Sequence, residues 1–197
     1  VAQADLRPDG STIRSQRHTY DVEGNRTSST DAMGVTATFE YDADDRLVRQ
    51  VEPVSATESI TTSFGYDAAG RRTRYTDGRG NPTFFTFNAL GLVESLIEPS
   101  TPAHPDPADR SWTAAYDLGG NLVRMTAPGA VVTEVTYDAA ERPTTRSGKG
   151  ASVPTPTRTR AYDALDRPVL AGGPDGDNTF AYDDRGNLLS SRGPSGN

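Results

Sequence analysis

Phe39-Glu40-Tyr41-Asp42-Ala43-Asp44-Asp45-Arg46-Leu47 decides the fold, because the chain writes it again as Phe180-Ala181-Tyr182-Asp183-Asp184-Arg185-Gly186-Asn187-Leu188. In both stretches an aromatic residue, one spacer and Tyr alternate with a period of two, the pattern of a half-buried strand. Asp-x-x-Gly then fits a type I turn, with Asp at its first position and Gly at its fourth. The Asp carboxylate accepts backbone N–H groups inside such a turn. The Gly takes the left-handed conformation that a three-residue hairpin loop with a bulge requires. Leu47-Val48 and Leu188-Leu189 then open a second strand. One such stretch is one β-hairpin.

Outward from these two stretches, the motif recurs eight times. Its aromatic and acidic pair is Tyr20-Asp21, Tyr41-Asp42, Tyr66-Asp67, Tyr116-Asp117, Tyr137-Asp138, Tyr162-Asp163 and Tyr182-Asp183, with Phe87-Asn88 as a conservative copy. The fourth residue after the aromatic is Gly24, Gly70, Gly91, Gly120 or Gly186 in five copies and Asp45, Glu141 or Asp166 in three. Asp tolerates positive φ better than Glu does. Next comes Arg46, Arg71, Arg142 or Arg167, elsewhere Asn25, Asn121, Asn187 or Leu92. These Tyr, Asp and Gly residues are the candidate determinants of the repeat. A catalytic carboxylate pair is unique in a chain, whereas these acids recur in every copy, so a turn role accounts for them.

The steps between successive aromatics are 21, 25, 21, 29, 21, 25 and 20 residues, short and long in alternation. Short steps close through tight turns such as Thr30-Asp31-Ala32-Met33-Gly34 and Thr76-Asp77-Gly78-Arg79-Gly80. Long steps carry Pro-, Ser- and Thr-rich loops at 53–59, 99–110 and 147–157. The reading is all-β: a single array over 1–197 of antiparallel hairpins centred on 20, 41, 66, 87, 116, 137, 162 and 182, about sixteen strands in total. Open sheets seldom exceed about ten strands without curling, so the array should form a curved, spiralling sheet. Its aromatics are expected to stack as ladders between neighbouring hairpins. The Arg after the turn, as at Arg46, Arg71, Arg142 and Arg167, has two equal readings: a pair with an Asp of the next hairpin, or a solvated surface residue. Unpaired edges are expected near His18 and near Leu188-Leu189. A four-bladed propeller of two hairpins per blade is the competing closure; odd and even hairpins sharing one motif argues against it.

Composition sets the limits. The chain has 197 residues, no Cys, a net charge of −7 and a pI near 4.8. Leu, Ile, Val and Phe number 33, about 17% of the chain and below the ~20% under which disorder becomes common. Stability must then come from many small regular contacts and not from one large core. No apolar run approaches the ~18 residues that span a bilayer, and Val1 to Gly10 has no charged-then-apolar signal segment. The acidic balance argues against nucleic acid and anionic membranes as partners. His18 and His104 lack ligand spacing. Asp42-Ala43-Asp44-Asp45 and Asp175-Gly176-Asp177-Asn178 lack the later bidentate Glu of a calcium loop. No catalytic, cofactor or metal residue is assigned, and Trp112 reads as a strand aromatic in preference to a sugar platform.

The eight copies, from about Thr12 to Gly193, resemble the YD-repeat or RHS-repeat family. Its members include bacterial Rhs polymorphic toxins, the B/C components of Tc toxins, wall-associated proteins and teneurins. The resemblance implies a β-strip that spirals into a hollow shell. In toxin members that shell encloses an unfolded or inactive toxic domain; in others it is an extracellular scaffold. It further implies a non-enzymatic segment of a longer shell, secreted or at the surface of a bacterial cell. Its partners would be the rest of that shell and the enclosed C-terminal domain. The alternative is a surface adhesion module that binds glycans or a partner protein through the long-loop edge. One departure stands out: the single Asp106-Pro107 is followed by Ala108-Asp109 and does not make the paired Asp-Pro-x-Gly motif of RHS core regions.

Overall fold

The computed structural model describes residues 2–6, 8–9, 12–55, 57–150 and 155–195, so residues 56 and 151–154 of two long loops lie outside the described residues. The chain divides into two compact units, Val1–Phe85 with Glu98–Ser100, and Thr86–Ile97 with Thr101–Asn197. In the first lie β1 (Ala2–Leu6), β2 (Thr12–Tyr20), β3 (Arg26–Thr30), β4 (Thr36–Tyr41), β5 (Leu47–Pro53), β6 (Ser59–Tyr66), β7 (Arg72–Thr76) and the start of β8 (Pro82–Phe87). Each pairs antiparallel with the next. The second unit continues with β9 (Val93–Ile97), β10 (Ser111–Tyr116), β11 (Leu122–Ala127), β12 (Val131–Tyr137), β13 (Pro143–Lys149), β14 (Arg158–Tyr162), β15 (Pro168–Gly173), β16 (Gly176–Tyr182) and β17 (Leu188–Arg192). From β9 on, consecutive strands again pair antiparallel. Two short 3-10 segments, Pro107–Arg110 and Pro128–Ala130, interrupt the strands.

A propeller would break the ladder after every second hairpin. Instead β5 pairs with β6, β9 with β10 and β13 with β14, which removes the blade alternative. The period-two alternation appears directly in burial. On β4, Ala37, Phe39 and Tyr41 are half-buried while Thr38 and Glu40 are exposed; on β10, Trp112, Ala114 and Tyr116 are half-buried while Thr113 and Ala115 are exposed. Among the described residues only Val132, 6% exposed, is a buried hydrophobic residue. With so little apolar surface buried among the described residues, stability is spread over the ladder, as the low apolar content requires.

The N-terminal edge differs from expectation. His18 lies opposite Ser29 on β3, and the other side of β2 is covered by β1, with Ala2 opposite Arg17. The count of about sixteen strands missed β1 because that strand carries no Tyr-Asp motif; it pairs through the backbone, which any sequence supplies. At the far end, β17 pairs with β16 and all five of its residues are exposed, Leu188 at 55% and Leu189 at 67%.

Candidate functional site

The Tyr-Asp turns concentrate the specific interactions of the molecule. In the turn after Tyr41, the Asp42 N–H donates to the Arg46 carbonyl at 3.0 Å and the Asp45 N–H to the Asp42 carbonyl at 3.1 Å. Asp42 Oδ1 accepts the N–H groups of Asp44 and Arg46, both at 3.0 Å, and Oδ2 accepts Arg46 Nε at 2.9 Å. The same arrangement recurs at Asp67, Asp138 and Asp163 with Arg71, Arg142 and Arg167. Asp117 and Asp183 hold the side-chain amides of Asn121 and Asn187 instead. Asp21 accepts the Asn25 N–H at 2.7 Å, and Asn88 Oδ1 accepts those of Leu90 and Leu92.

One residue per turn has positive φ, between 78° and 96° at Gly24, Gly70, Gly91, Gly120 and Gly186, and between 59° and 62° at Asp45, Glu141 and Asp166. This residue creates the bulge. The register shifts at Tyr20, Tyr41, Tyr66, Tyr116, Tyr137, Tyr162 and Tyr182, so that Tyr41, for example, faces Leu47. Two of the three carboxylates at the fourth position reach back to the preceding hairpin. Asp45 Oδ1 accepts Asn25 Nδ2 at 2.7 Å, and Asp166 Oδ1 accepts Arg142 Nη1 at 2.7 Å.

Neighbouring hairpins are joined by a repeated clasp. The hydroxyls of Tyr41, Tyr66, Tyr116, Tyr137, Tyr162 and Tyr182 donate to the carbonyls of Arg26, Leu47, Val93, Leu122, Pro143 and Pro168 at 2.8–3.2 Å. Each acceptor sits just past the preceding turn. Arg46, Arg142 and Arg167 place their guanidinium groups 4.8–5.0 Å from the ring centres of Tyr66, Tyr162 and Tyr182. Each also donates to the carbonyl of the next turn's Asp67, Asp163 or Asp183, at 2.9–3.1 Å.

Two expectations are corrected here. These tyrosines meet an Arg of the previous hairpin where a ring-on-ring ladder was expected; the ring pair Phe64–Tyr75, 5.8 Å apart, lies within one hairpin. The planar guanidinium fits between aromatic face and carbonyl. The carboxylate partner of Arg46, Arg71, Arg142 and Arg167 is the Asp of its own turn; Arg142 also pairs with Asp166 of the next hairpin, as the first of the two readings has it.

These contacts set the charge state of the turn. Side-chain bonds from Arg46 and Arg142 hold the Asp42 and Asp138 carboxyls below the ordinary carboxylate range. Asp67 and Asp117 are lowered first by the backbone N–H groups of Arg71 and Asn121, and Asp183 by the Asn187 side-chain amide. Two further turns, on the opposite edge of the sheet, use identical chemistry. Asp31 accepts from Met33 and Val35, and Asp77 from Arg79 and Asn81, with Gly34 and Gly80 both at φ 84°. Counting Tyr-Asp pairs passed over their kinship; the Asp-x-x-Gly spacing alone carries it.

Among the described residues no group of three or more His, Asp or Glu side chains converges as a metal site. Asp42 and Asp44 both serve Arg46. Trp112 is half-buried on β10 opposite Leu96, and Asp106 accepts the Ala108 N–H at the start of its 3-10 segment.

Residues 20–57 match the RHS Repeat family model. No curated protein matches the chain. The fold is similar to a crystal structure of TcdB2-TccC3, at 16% identity and a TM-score of 0.66, covering 95% of this chain and 11% of that one. A TcdB2-TccC3-Cdc42 structure gives 15% identity, a TM-score of 0.64 and the same coverage. The Photorhabdus luminescens Tc holotoxin pore, carrying the mutation TccC3-D651A, gives 13% identity and a TM-score of 0.54, over 96% of this chain and 13% of that one. The chain thus spans about a tenth of the length of the solved chains it matches. Residues 20–57 thus carry an RHS repeat, and the remaining hairpins close through turns with the same backbone bonds.

Proposed function

We propose that this chain is a non-enzymatic wall segment of an exported YD/RHS-repeat shell that encloses or displays an effector domain. The clasp carries the reading: the turns at Tyr41, Tyr66, Tyr116, Tyr137, Tyr162 and Tyr182 spend their carboxylate, their Arg or Asn and their Tyr hydroxyl on the hairpin itself or on its neighbour. Side chains committed to joining repeats build a wall. A single array over 1–197 is one continuous stretch of it, and the Tyr, Asp and Gly residues of the eight turns are its structural determinants. The partners are the remainder of the same shell and the domain it encloses. The protein is secreted or displayed at a bacterial cell surface. The adhesion alternative draws no separate support from the structure.

Limited proteolysis of the full-length protein tests this. A domain enclosed by the array should resist protease until the array itself is unfolded. Cleavage of that domain at the rate of the free domain, with the array intact, would overturn enclosure.

A further inference from the structure

The junctions between hairpins are unequal. Arg46 crosses from β5 to β6, Arg142 from β13 to β14 and Arg167 from β15 to β16, each onto the next Tyr ring and the next Asp carbonyl. Between β9 and β10 the corresponding residue is Leu92, which lies beside Gly120 and has no donor to offer. Its turn opens with Asn88, so the carboxylate that anchors Arg elsewhere is replaced as well. The ladder there is also short, from Ser111 opposite Ile97 to Thr113 opposite Ser95.

Among the described residues no other junction of this unit combines both features. The β13–β14 ladder is shorter still, Thr145 opposite Thr159 and Arg146 opposite Arg158. There, however, Arg142 holds the Asp163 carbonyl, the Asp166 carboxylate and the Tyr162 ring together. Between β11 and β12 the amide of Asn121 stays on Asp117, but the ladder runs from Arg124 opposite Glu134 to Ala127 opposite Val131. At β9–β10 the turn edge is joined by the Tyr116 hydroxyl on the Val93 carbonyl, at 2.9 Å. The segment Pro107–Arg110 that leads into β10 packs against Pro128–Ala130, which leads into β12, and so ties β10 to the strands that follow it and not to β9. Across the junction run a three-residue ladder and that hydroxyl bond.

We propose that β9 and β10 form a seam at which the sheet of this unit parts first. On the reading of the chain as a wall, the seam is where that wall yields to pass its content; the physical claim stands without that reading. Local opening follows the weakest combination of backbone and side-chain contacts, and exchange of amide hydrogens reports it.

Amide exchange of the full chain is the primary test. The amides joining β9 to β10 should exchange on the order of tenfold faster than those joining β11 to β12 or β15 to β16. Trp112, the sole tryptophan, stands on β10 at the seam, so its fluorescence gives a second readout. The paired substitution Asn88→Asp with Leu92→Arg installs an anchored guanidinium beside Tyr116 and the Asp117 carbonyl. It should raise the urea midpoint of the Trp112 signal and slow β9–β10 exchange. Equal protection at the three junctions of the natural chain would overturn the seam. So would a double variant that folds and leaves the Trp112 midpoint unchanged. If the double variant does not fold, exchange in the natural chain decides alone. Neither readout involves a cargo, so failure here leaves enclosure to its own protease test.

Discussion

At the scale of single residues, the array rests on one backbone requirement per turn. Gly70 has φ 79°, and an added side chain there would meet open space except for the Arg46 guanidinium 4.0 Å away. The obstacle to substitution is therefore conformational. A β-branched residue held left-handed costs on the order of 1–2 kcal/mol or more. Gly70→Val should lower the melting temperature more than Ala68→Val two residues earlier, where the turn keeps negative φ. Equal melting temperatures would remove the turn assignment. The tyrosine hydroxyl is a separate contribution. Tyr162→Phe deletes the bond to the Pro143 carbonyl while keeping the ring under Arg142, and should cost about 0.5–1.5 kcal/mol, read as a shift in the urea midpoint.

At the scale of elements, the informative contrast is between two arginines. Arg49 makes one cross-strand pair, with Glu40 at 2.6 Å, both side chains about half exposed at 44% and 56%. Such pairs contribute little in water. Arg142 is 24% exposed and joins Asp138, Asp166, the Asp163 carbonyl and the Tyr162 ring. Arg142→Ala should lower the melting temperature by a few degrees, clearly more than Arg49→Ala. Arg142→Lys should recover little, because an ammonium cannot serve ring, carbonyl and two carboxylates in one plane. Similar effects from the two alanine variants would mean that the clasp is decoration and that the ladder alone joins the hairpins.

At the scale of the whole molecule, the carboxylate turns predict the response to acid. Unfolded Asp titrates near 3.9, and Asp42, Asp67, Asp117, Asp138 and Asp183 all titrate lower in the folded chain. A group lowered by folding contributes its full stability above the unfolded value and loses it as pH falls through the folded value. Melting temperature should therefore be level from neutral pH down to about 5 and fall below about 4. A level profile down to pH 2.5 would show that the turns do not depend on ionised Asp. The exposed β17 strand gives a second prediction at this scale. A strand of exposed apolar residues is a template for pairing, so the 197 residues taken by themselves should associate at high concentration, and Leu189→Lys should suppress that association in light scattering.

The sequence alone determined the unit of construction, because turn chemistry is local. Tyr-Asp-x-x-Gly specifies which residue accepts the turn N–H groups and which takes positive φ, and Asp45, Glu141 and Asp166 take it where Gly is absent. The antiparallel sense and the period-two faces follow from the same stretch. Three things were decided only in three dimensions. β1 joined the sheet through backbone pairing, which leaves no motif to read. The Tyr rings met Arg and not one another, because the guanidinium of one turn and the ring of the next come together only when the bulge sets the register of both hairpins. The inequality of the junctions depends on how far each ladder extends and on what crosses it. Those are properties of neighbours more than twenty residues apart, as with Arg142 and Asp166, and no single hairpin contains them.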